Sequence, residues 1–81
     1  MAYSRWTYSD WYVYKNASNG KLVCYHNSGL VANYEFNRNV DYFIRKNFPK
    51  IPKSDKVELK FIIDVANADY NDERNENEQK D

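Results

Sequence analysis

Apolar, β-branched and aromatic side chains fill WYVYKN (residues 11–16) and KLVCYHN (residues 21–27), and the polar run ASNG (residues 17–20) separates them. Two short runs enriched in β-branched and aromatic residues and joined by a turn signal predict a β-hairpin. Asn19-Gly20 is expected to supply the positive backbone angles of its turn. The pairing can close through two or four loop residues, but both registers have the same parity and assign the same side chains to the same faces. One face carries Trp11, Val13, Leu22, Cys24 and His26; the other carries Tyr12, Tyr14, Val23 and Tyr25.

After Ser28-Gly29 the segment LVANYEF is a candidate third short strand, with Leu30, Ala32 and Tyr34 opposite Val31, Asn33 and Glu35. From Asn37 the period changes. Val40, Phe43, Ile44 and Phe48 recur at three and four residues, which predicts a helix of about three turns with Asn37 as N-cap, ended by Pro49 and Pro52. The next segment, SDKVELKFIIDVANADY (residues 54–70), supports two readings. Val57, Leu59, Phe61, Ile63 and Val65 alternate as in a strand, whereas Leu59, Ile62, Ile63, Ala66 and Tyr70 form a helical face behind an Asp55/Glu58 capping box. About 16 residues without a turn signal exceeds a typical strand, so the expectation is a helix. The alternative is a central strand of a three- or four-stranded sheet.

The fold expected is therefore α+β: an N-terminal antiparallel hairpin, with the candidate third strand, packed on one face by two α-helices. The chain of 81 residues has room for one domain and one core, and a chain this short buries only about 60 to 65% of its unfolded surface. Formal net charge is zero, but from Met1 to Ile63 there are ten Lys or Arg against five Asp or Glu, and from Asp64 to Asp81 two against seven. The last stretch, NDERNENEQKD, has no apolar residue to offset the entropy of ordering. Residues 1–72 are thus read as the domain and residues 73–81 as an acidic tail, either a frayed helix end or a disordered segment, with the disordered tail as the expectation.

Several chemistries lack their residues. Cys24 is the single cysteine and His26 the single histidine, so neither an internal disulfide nor a four-ligand structural zinc site is encoded, and a reducing compartment is expected. No run approaches the roughly 20 apolar residues of a membrane span, and MAYSRW lacks the apolar stretch of a signal peptide, so the expectation is a cytoplasmic protein with no membrane partner. Gly20 and Gly29, the two glycines, belong to no phosphate-cradling loop. Asp64, Asp69, Asp72 and Glu73 lack the spacing of a calcium loop and read as a solvated acidic face. Cys24 and His26 share a strand face, as a thiol nucleophile and its base would, but no orienting third group or oxyanion site accompanies them. A buried cysteine beside a strand-edge histidine is the simpler reading. No enzyme and no cofactor are expected.

What remains is surface. Fourteen aromatic residues exceed what a minimal core needs, and the stretch RWTYSDWYVYKN holds five of them in twelve positions. If Trp11 and Val13 face the core, Tyr12, Tyr14 and Tyr25 are displayed, a use that suits tyrosine because its ring buries area while its hydroxyl stays wet. The alternative is that the N-terminal segment, with Tyr3, Trp6 and Tyr8, folds over them. The expected protein-binding set is Arg5, Trp6, Tyr8, Tyr12, Tyr14 and Tyr25. A second set, Arg45, Lys46, Lys50, Lys53 and Lys56, with Lys60 beyond, is the candidate surface for nucleic acid. The opening SRWTYSDWY, Ser4 to Tyr12, resembles the start of small uncharacterised proteins carried by phages and other mobile elements. That resemblance implies a setting in which short aromatic-rich proteins act as inhibitors or adaptors by binding a host or rival protein.

Overall fold

The computed structural model describes residues 5–79, with side chains as far as Asp72. Four strands, β1 (Arg5–Tyr8), β2 (Trp11–Lys15), β3 (Leu22–His26) and β4 (Val31–Tyr34), precede two helices, α1 (Val40–Asn47) and α2 (Lys53–Gln79). The strands form one antiparallel meander in the order β1-β2-β3-β4. The α+β class and the expected hairpin are present, LVANYEF supplies β4, and a further strand, β1, extends the sheet on the other side.

Each connection has its own turn chemistry. Tyr8 pairs with Trp11 across a two-residue turn, in which Ser9 takes a φ of 55° without the help of glycine. The β2–β3 loop spans four residues, closed by Asn16 N–H donating to Lys21 C=O and Gly20 N–H donating to Asn16 C=O, both at 2.8 Å. Asn16 and Asn19 brace this loop by accepting from the backbone N–H of Ser18 and Lys21 through their side-chain oxygens. Gly20 alone of the Asn19-Gly20 pair has positive φ, 72°. The β3–β4 turn uses Gly29 at a φ of 105°.

Strand pairing places Trp6, Val13, Cys24 and Ala32 in one cross-strand row and Tyr8, Trp11 and His26 in the next, on the face that the helices cover. α2 lies across β1 and β2, and α1 packs beside it. Leu59, Ile62, Ile63 and Ala66 of α2 and Phe43 and Ile44 of α1 close on Trp11, Val13, Leu22, Cys24 and Tyr34. Phe48 and Ile51, flanking the prolines, complete the core, with Phe48 edge-on to Trp11 at 5.2 Å between centroids. Trp11 Nε1–H donates to the Asp55 carbonyl at 3.1 Å, so the buried indole leaves no unpaired donor.

Both helices begin differently from the sequence expectation. Asn39, not Asn37, caps α1, its side chain accepting from Tyr42 N–H at 2.9 Å, and α1 has eight residues rather than three full turns. Asn37 instead turns the chain at a φ of 68° and ties it to α2, its N–H donating to the Asn67 side chain at 2.9 Å and its amide pairing with that of Asn71. α2 starts at Lys53, so Asp55 lies inside the first turn rather than at the cap, where its carboxylate still complements the helix dipole. Residues 54–70 are helical throughout, and the alternation that imitated a strand arises because Val57 and Phe61 lie exposed beside the buried stripe. Helical backbone continues to Gln79, into the stretch assigned from sequence to a tail at residues 73–81; Lys80 and Asp81 lie outside the described residues. No helix among the described residues is long and apolar enough to cross a membrane.

Candidate interaction surface

The sheet face turned away from the helices is built from two cross-strand rows. Arg5, Tyr14, Val23 and Asn33 form one; Thr7, Tyr12, Tyr25 and Val31 form the other. Because successive strand residues point to opposite faces, each of these rings has a core residue next to it on the same strand. Tyr12, Tyr14 and Tyr25 are 42%, 38% and 43% exposed, while Trp11, Val13 and Cys24 between them are buried. Tyr12 and Tyr14 lie edge-on at 6.0 Å between centroids, and their mutual packing limits the rotamer freedom a partner would have to freeze. Tyr12, Tyr14 and Tyr25 border a shallow depression of about 590 Å³ that runs to Thr7, Ser9, Asp10 and Asn27 at the turn end of the sheet. Its walls are mainly apolar, and Arg5 and Asp10 place one charge of each sign near the face.

Strand β1 separates the six expected binding residues into two groups. Arg5 joins the three tyrosines, opposite Tyr14. Trp6 and Tyr8 point to the helix side instead: Trp6 Nε1–H donates to Asp69 of α2 at 3.1 Å, and Tyr8 packs on Phe61 at 5.6 Å. The N-terminal segment therefore extends the sheet rather than folding over the tyrosines, as far as residues 5–8 are concerned; Tyr3 lies outside the described residues. Thr7 and Val31 complete the tyrosine row and were not anticipated, since the register of β1 and β4 is invisible until the strands pair.

The basic residues occupy the helix layer. Arg45 and Lys46 are in the last turn of α1, where cations complement the helix dipole. Lys50 is in the inter-helix loop, and Lys53 and Lys56 are in the first turns of α2. The ring that accompanies them is Tyr42, which Lys46 Nζ approaches to 5.8 Å of the centroid. Lys60 pairs with Asp64 at 3.2 Å, which raises the lysine's pKa through that hydrogen bond. Tyrosine rows and basic cluster thus belong to different layers of the molecule.

Candidate chemical groups are tied into the structure. Burial pushes the Cys24 thiol up to about 12, which leaves it protonated and enclosed rather than nucleophilic. Tyr34 is also raised, first by burial, while its hydroxyl donates to the Arg38 carbonyl and accepts from Asn67. Glu35 is held below the ordinary carboxylate range by its hydrogen bond to Arg38. Asp64 and Asp69 are engaged by Lys60 and Trp6 rather than gathered into a cation site. Among the described residues, the metal-ligand types that converge are Asp10, His26 and Asp55.

Fold and surface together define a small α+β protein, a four-stranded meander covered on one face and open on the other. Comparison of the chain with protein-family models, with curated proteins and with solved structures found no match.

Proposed function

We propose that this chain is a protein-interaction module that binds its partner through the open face of the sheet, with Tyr12, Tyr14 and Tyr25 as ring anchors and Arg5 as a charged contact. The observation that supports it is the three half-exposed tyrosines on adjoining strands of one sheet, on the face that neither α1 nor α2 covers. Such a face offers ring area at low cost in side-chain entropy, the property that concentrates tyrosine at protein interfaces. Its near balance of charge favours a protein surface over a polyanion, because phosphate contacts need clustered cations. In the setting that SRWTYSDWY implies, the module acts as an inhibitor or adaptor by occupying a surface of a host or rival protein, and it needs no catalytic group of its own.

A second reading, nucleic-acid binding, is favoured by one arrangement, the Tyr42 ring beside Lys46 and near Arg45 at the end of α1.

Partner capture from the native host followed by alanine substitution tests the first reading. Tyr12→Ala, Tyr14→Ala and Tyr25→Ala should leave most of the stability intact, and at least one should weaken binding by about 2 kcal/mol or more. Trp11→Ala, one residue away but in the core, should cost about 3 to 5 kcal/mol of stability. Added salt should weaken an aromatic protein interface only slightly. If the three tyrosine variants bind like the wild type while Tyr42→Ala and Lys46→Ala abolish binding to a nucleic acid, the second reading replaces the first.

A further inference from the structure

The geometry points to a divalent transition-metal site at the turn end of the sheet, and we propose that Asp10, His26 and Asp55 bind Zn²⁺. The three residues come from the β1–β2 turn, the end of β3 and the first turn of α2, and one ligand atom from each lies within 4.8 Å of the others. His26 Nε2 is 3.5 Å from Asp55 Oδ2. Tetrahedral zinc with bonds of roughly 2.0 to 2.2 Å holds its ligands about 3.3 to 3.6 Å apart, so this pair already has the required separation. Asp10 is exposed on a two-residue turn, free to bring its carboxylate in over the remaining distance.

A second observation is independent of this convergence. His26 Nε2 is buried and has no hydrogen-bond partner. A polar atom so placed costs free energy unless something satisfies it, and coordination to a metal ion does so. The other ring nitrogen is held: Nδ1 lies 2.8 Å from Ser28 Oγ and 3.2 Å from the Ser28 N–H. Binding selects the tautomer with the proton on Nδ1, donated to the hydroxyl, which frees the Nε2 lone pair and gives up the longer contact to the backbone N–H. A ligating histidine generally donates its other N–H in this way.

Two of the ligands are also braced by the core. The indole of Trp11 lies edge-on to the His26 ring at 4.6 Å between centroids, and its N–H donates to the Asp55 carbonyl. Asn27 N–H donates to the Asp10 carbonyl at 2.9 Å, which ties the turn carrying Asp10 to the turn after His26. One imidazole and two carboxylates form a mixed N/O set suited to zinc, and three protein ligands leave a fourth position for water.

The test is calorimetric titration of the full chain with zinc chloride in a non-chelating buffer near neutral pH, alongside thermal melts. The wild type should bind one ion per chain with a Kd on the order of tens of micromolar or tighter and melt at higher temperature when loaded. Asp10→Asn, at an exposed position, should keep the metal-free melting temperature and weaken binding at least tenfold. Ser28→Ala removes the hydroxyl but keeps the backbone N–H that favours the wrong tautomer, so it should weaken binding about 10- to 100-fold. His26→Gln should abolish the 1:1 event, whereas Cys24→Ala should retain it. The proposal is overturned if the wild type shows no saturable binding, or if Asp10→Asn and Ser28→Ala bind as the wild type does, since the ions would then be held by other carboxylates.

Discussion

Cys24 shows how position alone sets the chemistry of a side chain. Between Val23 and Tyr25 on β3 it faces the helices, is fully buried, and has its thiol pushed from an ordinary 9.0 up to about 12 by desolvation. The folded chain keeps a proton that the unfolded chain loses. The stability this difference contributes is complete below the ordinary thiol value and is lost as pH rises towards about 12, by up to about 1.4 kcal/mol per pH unit. Melting temperature should therefore fall more steeply above about pH 9 in the wild type than in Cys24→Ala, although the variant starts lower because of the cavity it leaves. Tyr34, also raised by burial, acts in the same direction in both proteins. Parallel alkaline slopes in circular-dichroism melts would contradict this account, as would rapid labelling of Cys24 by a thiol reagent in the native state.

At the scale of elements, the turns decide how firmly the sheet is specified. Ser9 and Gly20 both adopt positive φ, but only Gly20 does so without a Cβ. The left-handed region costs a side chain roughly 1 to 2 kcal/mol. Gly20→Val should thus destabilise by at least that amount, through backbone strain alone, because nothing lies within 4 Å of where the Cβ would sit. Ser9→Gly should change stability in the opposite direction by up to about 1 kcal/mol, less the chain entropy that glycine adds to the unfolded state. Denaturant titrations of the two variants should move to opposite sides of the wild-type midpoint. The asymmetry also explains why one hairpin was legible and the other was not. ASNG carries a recognised turn signal, whereas Ser9-Asp10 reads as ordinary polar sequence and relies on pairing of Trp6 with Val13 and on α2 beneath it.

For the whole molecule, the notable asymmetry is of charge. The buried core ends at Ala66, and the last described packing beyond it is the stack of Tyr70 on Phe36 at 4.3 Å. Residues 73–81 carry no apolar side chain to contribute to a core, so the melting temperature of a chain without them should stay close to that of the full chain. The deletion removes four acidic and two basic residues and leaves ten Lys or Arg against eight Asp or Glu. Because α2 is helical to Gln79, the acidic stretch from residue 73 lies about 25 Å or more along the helix from Lys53 and Lys56, so the deletion should raise low-salt binding to generic DNA or RNA only slightly, through net charge, and added salt should remove the difference. Equal, weak mobility shifts for both forms would discard even that charge effect. Tight, salt-sensitive binding by both would move the functional surface from the sheet to the helix layer.

Sequence alone determined which residues share a face. Once WYVYKN and KLVCYHN are read as strands, the two-residue facing period separates Trp11, Val13 and Cys24 from Tyr12, Tyr14 and Tyr25 whichever loop closes the hairpin, and the structure keeps that separation. Helix rather than strand for residues 54–70 was likewise legible, because only a helix accommodates that length without a turn. Tertiary structure decided which faces are covered and what meets across them. RWTY alternates polar and aromatic residues but is only four residues long and has no turn glycine after it; it becomes a strand because β2 presents an edge to pair with and α2 receives Trp6 and Tyr8. Asn37 and Asn39 are equally good caps by type, and the choice fell to Asn39 because α2 offers Asn67 and Asn71 to hold Asn37. Asp10, His26 and Asp55 are separated by 16 and 29 positions in the chain. Local periodicity carries no information about such encounters, which arise only when turns and a helix end are brought together by packing of the core between them.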